Sequence, residues 1–292
     1  VALFPENARL CKYATRQFGD DDALGLVEGF LRSVRELQDL GDTSEDWSVR
    51  ARWLEGLISE LWRHRGLMPG MTAALELLSF EDAIPFFKQE ALRGREVEAH
   101  DAIFAFVDGR VDSVAGVNLS STVARLVRRA WKLRAKAEQD LLRDVLPRFV
   151  LRADQIGKIL GDGRAQNGIM QDLGAITENP YILSEQYEGD DPDDFISWGV
   201  IDRGMIPSPE LGAEALASAD DPRRFRALLV DSLKREEAHV FAPSDTAIAA
   251  VNRRLSVLPE WKRFSFHERY LEADAELIDE AIVARKEGGR AY

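Results

Sequence analysis

The chain has 292 residues, 45% of them hydrophobic, enough for one large or two ordinary domains. A formal net charge of −13 argues against a general nucleic-acid coat, because phosphate binding needs clustered Lys and Arg, but leaves room for a local basic groove. The single cysteine, Cys11, excludes an internal disulfide, a zinc ribbon and a CxxC pair, and fits a reducing cytoplasm.

The periodicity is helical almost throughout. Leu24, Leu26, Val27, Phe30, Leu31, Val34, Leu37 and Leu40 recur at helical spacing, and Asp20-Asp21-Asp22 suits the positive end of that helix. A second helix carries Trp47, Trp53, Leu54, Leu57, Ile58, Leu61 and Trp62, with Thr43 or Ser44 as its expected cap. Pro69-Gly70 breaks the pattern, and short helices are expected over 72–78, 81–92 and 97–107, closed by Asp108-Gly109.

Residues 120–145 read as the longest helix, with Leu126, Ala130, Leu133, Ala137 and Leu141 as its apolar stripe. Arg125, Arg129, Lys132, Lys136 and Arg143 form a basic stripe beside it. From Arg125 to Arg152 there are nine positive residues against three negative, an excess of six in an otherwise acidic chain. Such a stripe can track a phosphate backbone or pair with acids of the same protein. Pro147 ends the pattern and places a domain boundary near 147–151, dividing the chain into 1–148 and 149–292.

Beyond it, 153–160 and 165–173 read as short helices around Gly161-Asp162-Gly163. Asn179-Pro180 reads as a helix start, Asn as cap and Pro in the first turn. An acidic loop over 188–194, an irregular link over 205–209 and a helix over 222–233 follow. The rest is an extended stretch at 239–241 and helices near 244–255 and 273–285. The fold expected is all-α and two-lobed, with a helix–hairpin–helix-like element in its C-terminal half.

Catalytic motifs are absent. Gly157-Lys158 is followed by Ile159, and Arg152 stands where a P-loop needs its first glycine. His64, His100, His239 and His267 form no metal-binding pair. Asp190, Asp191, Asp193 and Asp194 lack the spacing of a calcium loop and read as solvated. No cofactor and no metal is therefore expected in this segment, although scattered triad members cannot be read from sequence. Gly161, Gly163 and Arg164 are a second candidate for phosphate contact, through backbone amides that glycine leaves approachable. Trp62 and Trp131 belong to core stripes, and Trp198 is a candidate base-stacking platform.

Four blocks carry a family resemblance: Arg65-Gly66-Leu67-Met68-Pro69-Gly70-Met71; Asn179-Pro180-Tyr181-Ile182-Leu183 with Glu185; Ile201-Asp202-Arg203-Gly204 with Pro207; and Asp221-Pro222-Arg223-Arg224-Phe225-Arg226-Ala227 leading to His239 and Pro243. Together they resemble the region preceding the motor in large bacterial RecD-like superfamily 1 helicases, across roughly Trp47 to Leu255, with Ala238 where that family has Gly. The resemblance implies a non-catalytic accessory segment, with helix–hairpin–helix-like and winged-helix-like elements in its C-terminal half, that guides single-stranded or forked DNA to an ATP-driven motor in cis, or packs against it. On that reading the DNA-binding residues are Arg125, Arg129, Lys132 and Lys136, with Gly161, Gly163 and Arg164 second. The alternatives are a protein-interaction scaffold in a repair or defence complex, and an enzyme whose site has no sequence signature.

No apolar run approaches the roughly 18 residues of a membrane span, and no basic segment leads into an apolar core at the N-terminus. A cytoplasmic protein with no membrane partner is expected. The chain opens at Val1 and reads as an excised piece of something longer.

Overall fold

A computed structural model describes residues 19–235, 242–283, 285–287 and 290–291. The expected extended stretch at 239–241, Cys11 and His239 lie outside the described residues. The fold is all-α. Extended pairing among the described residues is limited to Lys286–Glu287 against Arg290–Ala291 and an isolated bridge between Glu188 and Phe195. No helix among them is long and apolar enough to cross a membrane.

Helices α1 (Asp20–Asp39) and α2 (Trp47–Arg65) form an antiparallel hairpin. Leu24, Val27, Leu31 and Val34 of α1 meet Ala51, Leu54, Ile58 and Trp62 of α2 in a core of their own. Its open end is closed by charge: His64 Nδ1 lies 2.9 Å from Asp20 Oδ1, and Arg65 pairs with Asp21. Acids at the start of α1 and bases at the end of α2 suit both helix dipoles. The cap of α2 is Asp46, which accepts from the Ser48 and Val49 amides, rather than Thr43 or Ser44. Asp42, in the same loop, is instead engaged by Ser44 and the Trp47 indole.

The remaining helices are α3 (Met71–Leu77), α4 (Ile84–Ala91), α5 (Glu96–Val107), α6 (Ser121–Leu133), α7 (Lys136–Asp140), α8 (Ala153–Leu160), α9 (Leu173–Glu178), α10 (Ile182–Gln186), α11 (Trp198–Met205), α12 (Pro222–Arg235), α13 (Ser244–Leu255), α14 (Arg269–Ala273) and α15 (Ala275–Asp279). All but α7 contribute to one buried cluster that runs from Met71 to Ile278. Leu146, Phe149 and Leu151 belong to it, so the segment around Pro147 lies within the core.

Phe149 is a junction. A Cβ at Gly70 would collide with its carbonyl, and one at Gly204 would collide with its ring. Glycine lets α3 and α11 approach this residue from two sides. Lower in the fold, Phe225 of α12 stacks on Phe266 at 4.4 Å between ring centres.

Several local expectations change. The helix expected over 120–145 is broken: α6 ends at Leu133, Arg134 and Ala135 are extended, and the chain restarts as α7, followed by a π-turn at Leu141–Val145. No Gly or Pro forces this break. Arg143 instead folds back across the Trp131 ring, at 5.1 Å, and bonds Asp108 at 2.8 Å. The Gln139 amide meanwhile satisfies the carbonyls of Trp131 and Arg134, groups a helix end leaves orphaned. The helix expected over 165–173 is a 3-10 segment, Asp162–Asn167, followed by α9. Asn179 caps nothing with its side chain, whose buried Oδ1 has no partner. The helix expected over 273–285 is the short pair α14 and α15.

Candidate nucleic-acid interface

Helix α6 begins where the Ser120 hydroxyl accepts the Val123 amide at 3.2 Å. Its inward face is Val127 and Trp131, with Val123 and Ala124 half-buried behind them. Trp131 is fixed further by its indole N–H, which donates to Asp108 at 2.8 Å. The outward face carries Arg125, Leu126, Arg129, Ala130, Lys132 and Leu133, all exposed. The stripe expected to be apolar core is thus split: Leu141 is buried, whereas Leu126, Ala130, Leu133 and Ala137 face solvent. The sequence holds two apolar stripes on α6, and the one containing Trp131 makes the larger contact.

The basic residues of this region divide sharply. Arg128 donates to the Phe106 carbonyl at 3.0 Å and lies over its ring. Arg134 pairs with Glu138, Lys136 with Asp140, Arg143 with Asp108, and Arg152 with Asp154 and Asp194. Arg148 donates to the Glu214 carbonyl. Arg125, Arg129 and Lys132 have no acidic partner among the described residues. They span eight residues of helix, about 10 Å of axis, comparable to about three steps of about 3.4 Å along one nucleic-acid strand. Beside the first turn of α6 lies a cleft of about 580 Å³, whose lining includes Arg125, Arg128, Asp112, Ser113, Asn118 and Ser121.

Lys136 is separated from the other three by the break at Arg134 and is held by Asp140. The second candidate is also committed elsewhere. Arg164 donates to the carbonyls of Gln171 and Gly161. Neither Gly161 nor Gly163 adopts a left-handed backbone. This turn sits after α8, which packs on α3, whereas α6 packs on α5. The two candidates rest on different parts of the fold.

Trp198 is buried, as are Trp62 and Trp131, so none presents a ring face to solvent. The loop over 188–194 is not simply solvated. Asp194, 6% exposed, accepts from Arg152, Gln155, Lys158 and Tyr187. Burial pushes its carboxyl up, but the bonds from Lys158, Arg152 and Gln155 prevail and hold it well below the usual carboxylate range. Lys158, the remnant of the P-loop comparison, is occupied by Asp190 and Asp194.

What sequence reading misses is how the quoted blocks meet. Tyr181 Oη donates to Asp202 Oδ1 at 2.8 Å, Arg224 Nε to the same oxygen at 2.7 Å, and Lys262 Nζ reaches Asp202 Oδ2 at 2.7 Å. Glu185 receives a bidentate pair from Arg226, both bonds 2.9 Å. Arg203 reaches back to Glu28 of α1 at 2.9 Å. Asp202, Arg224, Arg226 and Lys262 are each at most 1% exposed. Burial drives the Lys262 ammonium down to about 8 against the pull of Asp202. Asp202, Arg224, Lys262, Glu185 and Arg226 satisfy one another away from solvent and so frame the fold rather than present chemistry, whereas Arg203 keeps a buried Nε without a partner. The signal that could locate them was the density of charged residues in blocks otherwise apolar. No family model matches this chain, and neither a curated protein nor a solved structure does.

Proposed function

We propose that this chain is a non-catalytic segment that guides DNA for an ATP-driven, RecD-like motor carried in cis. The observation that carries the reading is the set Arg125, Arg129 and Lys132. In an acidic protein whose neighbouring bases are paired, these three stay exposed on one helix with no acidic partner among the described residues. Backbone phosphate is the ligand such a row fits, without reading bases. The resemblance blocks support the reading in a different way: their charged residues hold α1, α10, α11 and α12 together around a sealed network.

The test is fluorescence anisotropy with labelled single-stranded, duplex and forked DNA at two salt concentrations, set against Arg125→Glu/Arg129→Glu/Lys132→Glu. Salt-sensitive binding that disappears in the variant is the expected result. A folded protein that binds none of the three at low salt would overturn it.

A second reading is a scaffold that contacts a protein partner in a repair or defence assembly. Leu126 and Leu133, 60% and 76% exposed beside the same cations, favour it. Such a face suits an acidic segment with apolar side chains.

A further inference from the structure

A cleft of about 480 Å³ lies where α1, α11 and α13 meet, far in sequence from α6. Its lining includes Arg32, Arg203, Arg253 and Arg254 against one carboxylate, Glu28. Two of the arginines are spoken for: Arg203 pairs with Glu28, and Arg254 pairs with Asp231 while lying over the Trp198 ring at 4.9 Å. The side chains of Arg32 and Arg253 make no hydrogen bond or ion pair among the described residues. We propose that this cleft binds a phosphate group.

Three further observations favour an anion. The wall contains buried donors that lack acceptors: Arg203 Nε and Trp198 Nε1, in residues 8% and 3% exposed. Buried donors normally find partners, and a phosphate oxygen is the acceptor this wall lacks. Glu28 accepts from Arg203 Nη2 at 2.9 Å, but neither Arg203 Nε nor the Trp198 indole reaches it. The floor is made of glycine. A Cβ at Gly199 would crowd Arg203 Nη1 at 3.0 Å, and one at Gly25 would touch Nη2 at 3.4 Å. Gly29, one turn beyond Gly25, faces open space. Glycines inside α1 weaken the helix, and here Gly25 and Gly199 give the buried Arg203 guanidinium room to lie along the cleft wall. Finally, the free cations come from α1 and α13, two separate elements, so an anion would be gripped from both sides.

The shared chemistry is a phosphate ester or anhydride, whether part of a nucleic acid or of a small molecule. The test uses the full chain, with inorganic pyrophosphate in calorimetric titration and a labelled 5′-phosphorylated single-stranded oligonucleotide in anisotropy. Two variants probe the cleft: Arg32→Glu/Arg253→Glu, and Gly29→Leu. The second fills open space with a better helix former, so it blocks the cleft without unfolding α1. Either probe should bind saturably, and each variant should weaken that binding at least tenfold with thermal unfolding retained. Oligonucleotide binding lost in both variants assigns a nucleic-acid phosphate; pyrophosphate binding alone assigns a small phosphate ligand. Binding of neither probe at low salt overturns the proposal. So does binding that both cleft variants leave intact, including binding abolished only by charge reversal at Arg125, Arg129 and Lys132. Retained pyrophosphate binding in that α6 variant separates this proposal from the DNA-guiding one.

Discussion

Arg224 Nε meets Asp202 Oδ1 at 2.7 Å with both side chains closed to solvent, joining α12 to α11. The same carboxylate holds Tyr181 of the turn before α10 and Lys262 of the segment after α13. One aspartate therefore ties four stretches of chain that are widely separated in sequence. Its own lone pairs are filled by these donors, which is what makes a buried charge tolerable.

Replacing Asp202 by Asn should therefore leave Arg224 and Lys262 buried without their counter-charge. A loss of about 3–5 kcal/mol is expected, read from urea unfolding. The pH dependence follows from the direction of its shift. Burial raises the Asp202 carboxyl, but Arg224 and Lys262 prevail and hold it well below the ordinary 3.8. Its contribution is thus complete above that value and lost as pH falls through it towards the folded pKa. Wild type should lose stability on acidification more steeply than Asp202→Asn. Identical acid limbs would show that the carboxylate is not the anchor.

Gly204→Ala should destabilise by about 1–3 kcal/mol, because the new methyl overpacks against the Phe149 ring. Gly56 provides the contrast. It sits within α2, exposed, with nothing within 4 Å of a Cβ. Gly56→Ala should raise stability by about 0.5–1 kcal/mol. Thermal melts of the two variants should move in opposite directions, and a neutral Gly204→Ala would refute the tight junction.

Charge reversal at Arg125, Arg129 and Lys132 should leave stability within about 0.5 kcal/mol, as surface changes away from packing do. On single-stranded DNA, losing three phosphate contacts should reduce the slope of log affinity against log salt by about 2. An unchanged slope would remove α6 from the interface.

Leu126→Ser/Leu133→Ser separates the two readings of the same helix. Both leucines are exposed, so folding should not suffer. Phosphate contacts do not use these carbons, and DNA affinity should be unchanged if the cations carry the function. A partner protein that copurifies with wild type and is lost from this variant would instead support the scaffold.

The helical class was legible from residue spacing alone. Leu24, Val27, Leu31 and Val34 repeat at the helical period, and the same residues form the buried face of α1. Pro69-Gly70 and Asp108-Gly109 marked real helix ends, because backbone freedom is a local property. The three exposed cations of α6 were also within reach, as members of a longer basic run. Tertiary structure decided which of that run stay free. Asp108, Glu138 and Asp140 neutralise their neighbours, and a fold-back of Arg143 onto Trp131 breaks the helix where no local signal does. It also decided which apolar stripe of α6 is buried and that the blocks around Tyr181, Asp202 and Arg224 close on one another. Helix and turn follow from interactions within a few residues, and so can be read along the chain. Charge pairing and burial depend on residues brought together from afar, as Asp202 and Lys262 are, and only the folded chain sets those distances.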